Sequence, residues 1–107
     1  MGKAPRFSTE YLDQLIAEAT TDAYNESEQA VGFFTMIEEN LAIPFVTQVL
    51  GQDVTVASID ITHRDEIVAI CSHDKKNQSI PILDLPMPNS LPAGVEWIEA
   101  YRRWYCA

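Results

Sequence analysis

Hydrophobic residues recur at helical spacing in the first part of the chain. Ser8 has the side chain of a helix N-cap, and the apolar positions after it are three or four residues apart. These positions are Leu12, Leu15, Ile16, Ala19 and Ala23. They predict a first helix over about Thr9–Tyr24. Asn25 followed by Glu28 resembles a capping box, and the apolar stripe behind it predicts a second helix that stops before Pro44.

The hydrophobic period changes to two after the second helix. Four segments rich in β-branched residues and separated by turn signals predict strands. They are Phe45–Leu50, Val54–Ile61, Ile67–Ser72 and Ser79–Leu85. In the second segment the apolar phase changes between Val56 and Ile59, which predicts a bulge or a sharp bend near Ala57 and Ser58. Short, bent, antiparallel strands of this kind favour a small barrel.

The last segment predicts a closing helix. After a connector with three prolines, Val95–Tyr105 places Trp97, Tyr101 and Trp104 on one side of an amphipathic helix. The expected fold class is therefore α+β, with two N-terminal helices, a small bent antiparallel SH3-like β-barrel and a C-terminal helix. At 107 residues the chain has room for one core, so we expect a single domain over residues 1–107.

The distribution of charge is the most informative chemical feature. The chain has a net charge of −9, and the stretch from Phe7 to His63 contains ten carboxylates and no Lys or Arg. The ten acids are Glu10, Asp13, Glu18, Asp22, Glu26, Glu28, Glu38, Glu39, Asp53 and Asp60. A folded segment of this composition stores repulsion that a cation from outside the chain would relieve.

The same charge argues against several classes of partner. Phosphate binding needs clustered Lys and Arg, so we expect no nucleic acid partner, and anionic membrane surfaces are disfavoured too. No apolar run approaches the length of a membrane span, and Met1–Phe7 lacks the apolar core of a signal peptide, so we expect a cytoplasmic protein. Cys71 and Cys106 are too few for a disulfide scaffold.

Five acids around the predicted helix junction and the end of the second helix are the candidate metal ligands. They are Asp22, Glu26, Glu28, Glu38 and Glu39. Carboxylate oxygen is the ligand that calcium and magnesium prefer, and a helix C-terminus adds unpaired backbone carbonyls. A divalent ion between the junction and the helix end would relieve repulsion at both places. The alternative from the residues alone is a solvated acidic face, with Glu28 acting only as a cap.

Other chemistries have little support. The EF-hand loop pattern is absent, and Cys71 and His73 are only one pair of a zinc set. No nucleophile motif or phosphate-binding loop is present, so we expect no enzymatic activity.

Four runs of the chain resemble the CcbP-type cyanobacterial calcium-binding protein family. They are DAYNESEQ at 22–29, GFFTMIEENL at 32–41, IPILDLP at 80–86 and EWIEAYRRW at 96–104. The resemblance implies a small acidic cytoplasmic protein that binds Ca²⁺ without EF-hands and buffers or senses it. It supports as ligands the five acids that lie inside the first two of these runs.

The expected function is therefore reversible calcium binding by carboxylates around the first two helices. Asp53 and Asp60, on or near the strands, are weaker candidates for a second metal site. The alternative is an interaction module whose acidic face docks a basic protein partner, with incidental metal binding.

Overall fold

The computed structural model describes residues 7–106, which form three α-helices, a four-stranded sheet and one short 3-10 helix. The helices are α1 (Thr9–Ala19), α2 (Glu26–Asn40) and α3 (Val95–Tyr105), and the 3-10 helix spans Ile82–Asp84. The strands are β1 (Phe45–Val49), β2 (Gln52–Ile61), β3 (Ile67–His73) and β4 (Lys76–Pro81). None of the helices described is both long enough and apolar enough to span a membrane.

The four strands form one antiparallel sheet in the order β1-β2-β3-β4. Two-residue turns join β1 to β2 at Leu50 and Gly51, and β3 to β4 at Asp74 and Lys75. All four turn residues have positive φ, which is the geometry of type I′ turns and matches the twist of the strands. The predicted α+β class with an antiparallel sheet is confirmed.

Closure of the sheet into a barrel is not confirmed. Within residues 7–106, β1 pairs only with β2 and β4 pairs only with β3, so both outer strands are edges. The predicted fourth strand Ser79–Leu85 is in fact Lys76–Pro81 followed by the 3-10 helix. Pro81 has no N–H to continue the ladder, and the chain turns away from the sheet there before it can reach β1.

The predicted bulge in β2 is confirmed. The register of β2 against β3 shifts between Val56 and Ser58. Because Ala57 is the extra residue, Val56 and Ile59 both point to the buried face, where they are 0% and 5% exposed. α2 packs against β2 and shares the hydrophobic core with these two residues.

The first helix is shorter than the apolar spacing predicted. α1 ends at Ala19 rather than at Tyr24. The hydroxyls of Thr20 and Thr21 donate to backbone carbonyls one turn back at 2.7 and 2.8 Å, and Asp22 has a φ of 61° in the left-handed region. α2 also crosses α1 here, since a Cβ on Gly32 would overlap the carbonyl oxygen of Ala19.

α3 packs against both of the other helices. Its Tyr101 and Trp104 pack around Phe33 of α2, with ring centroids 5.6 and 5.1 Å from that ring. The indole Nε1 of Trp104 donates to Oε1 of Gln29 at 2.9 Å. The bounds predicted for this helix, Val95–Tyr105, are confirmed.

Candidate metal sites

The first group of candidate ligands surrounds the start of α2. Asn25 Oδ1 accepts the N–H of Glu28 at 2.8 Å, and Glu28 Oε1 accepts the N–H of Tyr24 at 3.2 Å. Glu26 occupies the first turn, and Asp22 lies in the loop before the cap. Acids at a helix N-terminus are stabilised by the positive end of the helix dipole. Glu26 and Glu28 therefore stabilise α2 even without a metal ion.

The Asn25 cap gives a testable prediction. Asn25→Ala is expected to lower the free energy of unfolding by about 1 kcal/mol, because the N–H of Glu28 loses its acceptor. Urea denaturation measures the loss. Asn25→Asp keeps an acceptor at the same place and is expected to change stability by less than about 0.5 kcal/mol. An equal loss in both variants would show that the cap does not stabilise the helix.

The second group lies at the other end of α2. Glu38 and Glu39 occupy its last turn, which contains no basic residue. The N–H of Ala42 donates to the carbonyl of Ala93 at 2.8 Å and so does not continue the helical ladder. As a result, the carbonyls of Glu38 and Glu39 accept no hydrogen bond from residues 7–106. The last turn, at the negative end of the helix dipole, thus carries two carboxylates and two free carbonyls.

Asn40 adds another oxygen to this end of α2. Its Nδ2 donates to the carbonyl of Met36 at 2.8 Å. This bond orients the side-chain amide through its nitrogen, so the amide oxygen Oδ1 is left to bind another group. Calcium takes six to eight oxygen ligands from carboxylates, carbonyls, amides and water. The donor types at this helix end fit that chemistry.

The two groups are too far apart to share one ion. Glu28 and Glu38 are ten positions apart on α2, which at about 1.5 Å per residue separates them by about 15 Å along the axis. The hypothesis of one ion between the helix junction and the helix end therefore does not fit. Among residues 7–106, no three His, Cys, Asp or Glu side chains come together as a ligand set. A calcium site here must draw on backbone, amide or water oxygens as well.

Asp53 and Asp60 do not form a joint second site. Both lie on β2, seven positions apart, which corresponds to roughly 20 Å along an extended strand. Asp53 Oδ1 accepts from Nε2 of Gln48 at 3.2 Å, and Asp60 Oδ1 accepts from the N–H of Ile61 at 2.8 Å. Each carboxylate is therefore bonded locally, and no single ion could bind both.

Asp13, in the stretch without Lys or Arg, forms an ion pair with an arginine of the last helix. Nε of Arg103 in α3 lies 2.8 Å from Oδ1 of Asp13 in α1. The hydrogen bond and the charge of Asp13 raise the pKa of Arg103. Sequence reasoning missed this pair because 90 positions separate its members, although an arginine in a last helical turn was a visible signal.

The zinc pair gains no support from the structure. Cys71 is 2% exposed within the sheet, and burial raises the pKa of its thiol, whereas zinc binds the thiolate. The ring Nδ1 of His73 lies 3.0 Å from the carbonyl oxygen of Asp53.

Comparison with known proteins agrees with the resemblance noted in the sequence. The model of the family Calci_bind_CcbP, described as calcium binding, matches residues 13–105. No curated protein and no solved structure matches the chain. The family match covers α2, α3 and the whole sheet, and it covers α1 from Asp13 onward. The chain therefore belongs to the CcbP family of calcium-binding proteins.

Proposed function

We propose that this protein binds calcium reversibly in the cytoplasm and acts as a calcium buffer without enzymatic activity. The observation that carries the proposal is the match of a calcium-binding family over residues 13–105. The net charge of −9 supports it, because a carboxylate-rich chain gains stability when cations bind.

We place the principal calcium site at the C-terminal turn of α2. Glu38 and Glu39 lie there beside carbonyls that have no hydrogen-bond donor among residues 7–106. Acids at this end oppose the helix dipole at a cost of about 0.3–1 kcal/mol each, and a bound cation removes that cost. At the start of α2 the dipole has the opposite sign, so Glu26 and Glu28 are already stabilised. The local electrostatics therefore favour the C-terminal turn over the junction.

The geometry supports a modest affinity. Neighbouring residues on a helix are about 100° apart, so one ion is expected to take one of the two carboxylates directly while the other adds charge. Water then completes the coordination, and we expect a dissociation constant of roughly 10⁻⁷–10⁻⁴ M, the range of calcium sensors and weaker modules. A buffer needs nothing more. A sensor needs a surface that calcium exposes, and the described methionines do not form one stripe, since Met36 lies on α2 and Met87 in the connector before α3.

Calorimetric titration of chelator-stripped protein with Ca²⁺ tests the proposal. At about 0.15 M salt with millimolar Mg²⁺ present, we expect saturable binding, which diffuse counterion attraction does not give. The double variant Glu38→Gln/Glu39→Gln is expected to weaken calcium binding at least tenfold. Of the two single variants, the one that removes the direct ligand is expected to have the larger effect.

Glu26→Gln is the matched control for each single variant, because it removes one carboxylate from the same helix. It is expected to alter calcium affinity by less than threefold. If Glu26→Gln abolishes binding and the double variant does not, the site lies at the helix junction instead. A non-saturating titration would contradict calcium binding by this chain and would leave the acidic face as a docking surface for a basic protein.

A further inference from the structure

A groove crosses the sheet between the tips of its two hairpins. Its volume is about 450 Å³, and every residue that lines it belongs to a strand or to a hairpin turn. Val49, Val54, Cys71 and Ile80 form its apolar floor. The register places these four side chains on the face that the helices cover elsewhere. The groove is thus the part of the core face that the described helices leave open.

Leu50 is strained and exposed at the rim of this groove. Its φ is 52°, which costs energy in a bulky residue, and its side chain is 98% exposed. Asn, Asp or Gly is the usual residue at this position of a type I′ turn. A leucine there combines backbone strain with exposed apolar surface, and a ligand in the groove would cover that surface.

The charge of the rim differs from that of the rest of the molecule. Lys76 lines the groove, and Lys75 is next to it in the turn. Neither lysine is in an ion pair with any of residues 7–106, whereas Arg102 and Arg103 pair with Glu99 and Asp13. The two lysines outnumber the one carboxylate of this turn, Asp74, so the rim can attract an anionic group even on a chain of net charge −9.

The groove also runs beside an unpaired strand edge. β4 pairs only with β3 in the described sheet, and the side chains from Lys76 to Ser79 are exposed. An edge of this kind can accept an extended segment as an additional strand, with main-chain hydrogen bonds giving affinity and neighbouring pockets giving specificity.

We propose that this groove binds an extended peptide segment of a partner protein in which an apolar side chain stands next to a carboxylate. The apolar side chain fills the floor beside Leu50, and the carboxylate meets Lys75 and Lys76. The apolar floor favours an apolar side chain, and the two lysines favour a carboxylate. The free edge of β4 favours an extended backbone. This site is separate from the proposed calcium site and does not depend on it.

The test is a titration of the ¹⁵N-labelled full chain with acetyl-Glu-Leu-Glu-Leu-Glu-amide, followed by backbone amide shifts. We expect saturable shifts confined to the groove at millimolar peptide. Because the chain is strongly acidic, nonspecific attraction cannot bring an acidic peptide to it. The same peptide with Gln for Glu, or with Ala for Leu, is expected to bind at least fivefold more weakly.

Lys76→Glu is expected to weaken binding of the acidic peptide at least tenfold. Arg64→Glu is the matched control, because it reverses a charge in the β2–β3 turn, and it is expected to bind as the unchanged chain does. Absence of groove shifts at millimolar peptide, or equal binding by Lys76→Glu, would overturn the proposal. Groove shifts that depend on protein concentration without peptide would also overturn it, and would identify a second copy of the chain as the occupant.

Discussion

Replacing Phe33 with alanine is expected to lower the free energy of unfolding by about 3–5 kcal/mol. The side chain is fully buried, and its ring packs against those of Tyr101 and Trp104, which also pack against each other. Removal of the ring loses its transfer free energy and leaves a cavity where α2 meets α3. Domains of this size are stable by only about 5–15 kcal/mol, so this one contact is a large part of the total.

Phe34→Ala is the matched control for this prediction. It removes the same ring from the next position of the same helix, but Phe34 is only partly buried at the edge of the core. We expect Phe34→Ala to cost less than half as much in urea denaturation. Equal losses would show that helix propensity or local sequence, and not the aromatic cluster with α3, determines the cost.

Local signals were enough to predict most elements of the fold. The side chains of Ser8 and Asn25 cap α1 and α2 as their spacing predicted, and α3 has the predicted bounds. The bulge could be predicted because the apolar residues before it and after it differ in phase by one position. Both sets can be buried on the same face only if the strand contains an extra residue. Each of these signals lies within a few residues of the feature that it determines.

The errors arose where distant parts of the chain decide the local structure. The apolar spacing of α1 continues to Ala23, but two threonines and the crossing at Gly32 end the helix at Ala19. Closure of a sheet depends on whether its first and last strands meet, and periodicity within each strand carries no information about that. Alternation alone could not distinguish the open sheet from a barrel.

For the candidate ligands, one error was avoidable from local geometry and one contact could not be predicted. We predicted from the sequence that one ion lies between Glu28 and Glu38, because each acid is near a helix end. In the structure they lie at opposite ends of the same helix, α2. The geometry that separates them follows from the helical rise alone once α2 is accepted as a single helix. The contact that could not be predicted is the bond from Ala42 to Ala93, which directs the chain away from α2 and leaves the last carbonyls free.

Gly94 maintains that arrangement, and Gly94→Ala is expected to lower the free energy of unfolding by at least about 2–3 kcal/mol. Gly94 has a φ of 91°, so any L side chain is strained there. A Cβ would also overlap the carbonyl group of Asn40 and lie 2.6 Å from Cα of Leu41. These are backbone atoms, which cannot rotate away, so the end of α2 and the start of α3 must separate.

Gly51→Ala separates the two causes, because Gly51 has a φ of 79° but nothing within 4 Å of its Cβ position. It is expected to cost only the strain, about 1–2 kcal/mol. Because Gly94 contacts the turn that holds the proposed calcium ligands, Gly94→Ala is also expected to weaken calcium binding at least threefold at a temperature where it is folded. Gly51→Ala is expected to bind calcium as the unchanged chain does. Urea denaturation and calcium calorimetry on both variants measure the two effects, and unchanged affinity in folded Gly94→Ala would move the site away from the C-terminal turn of α2.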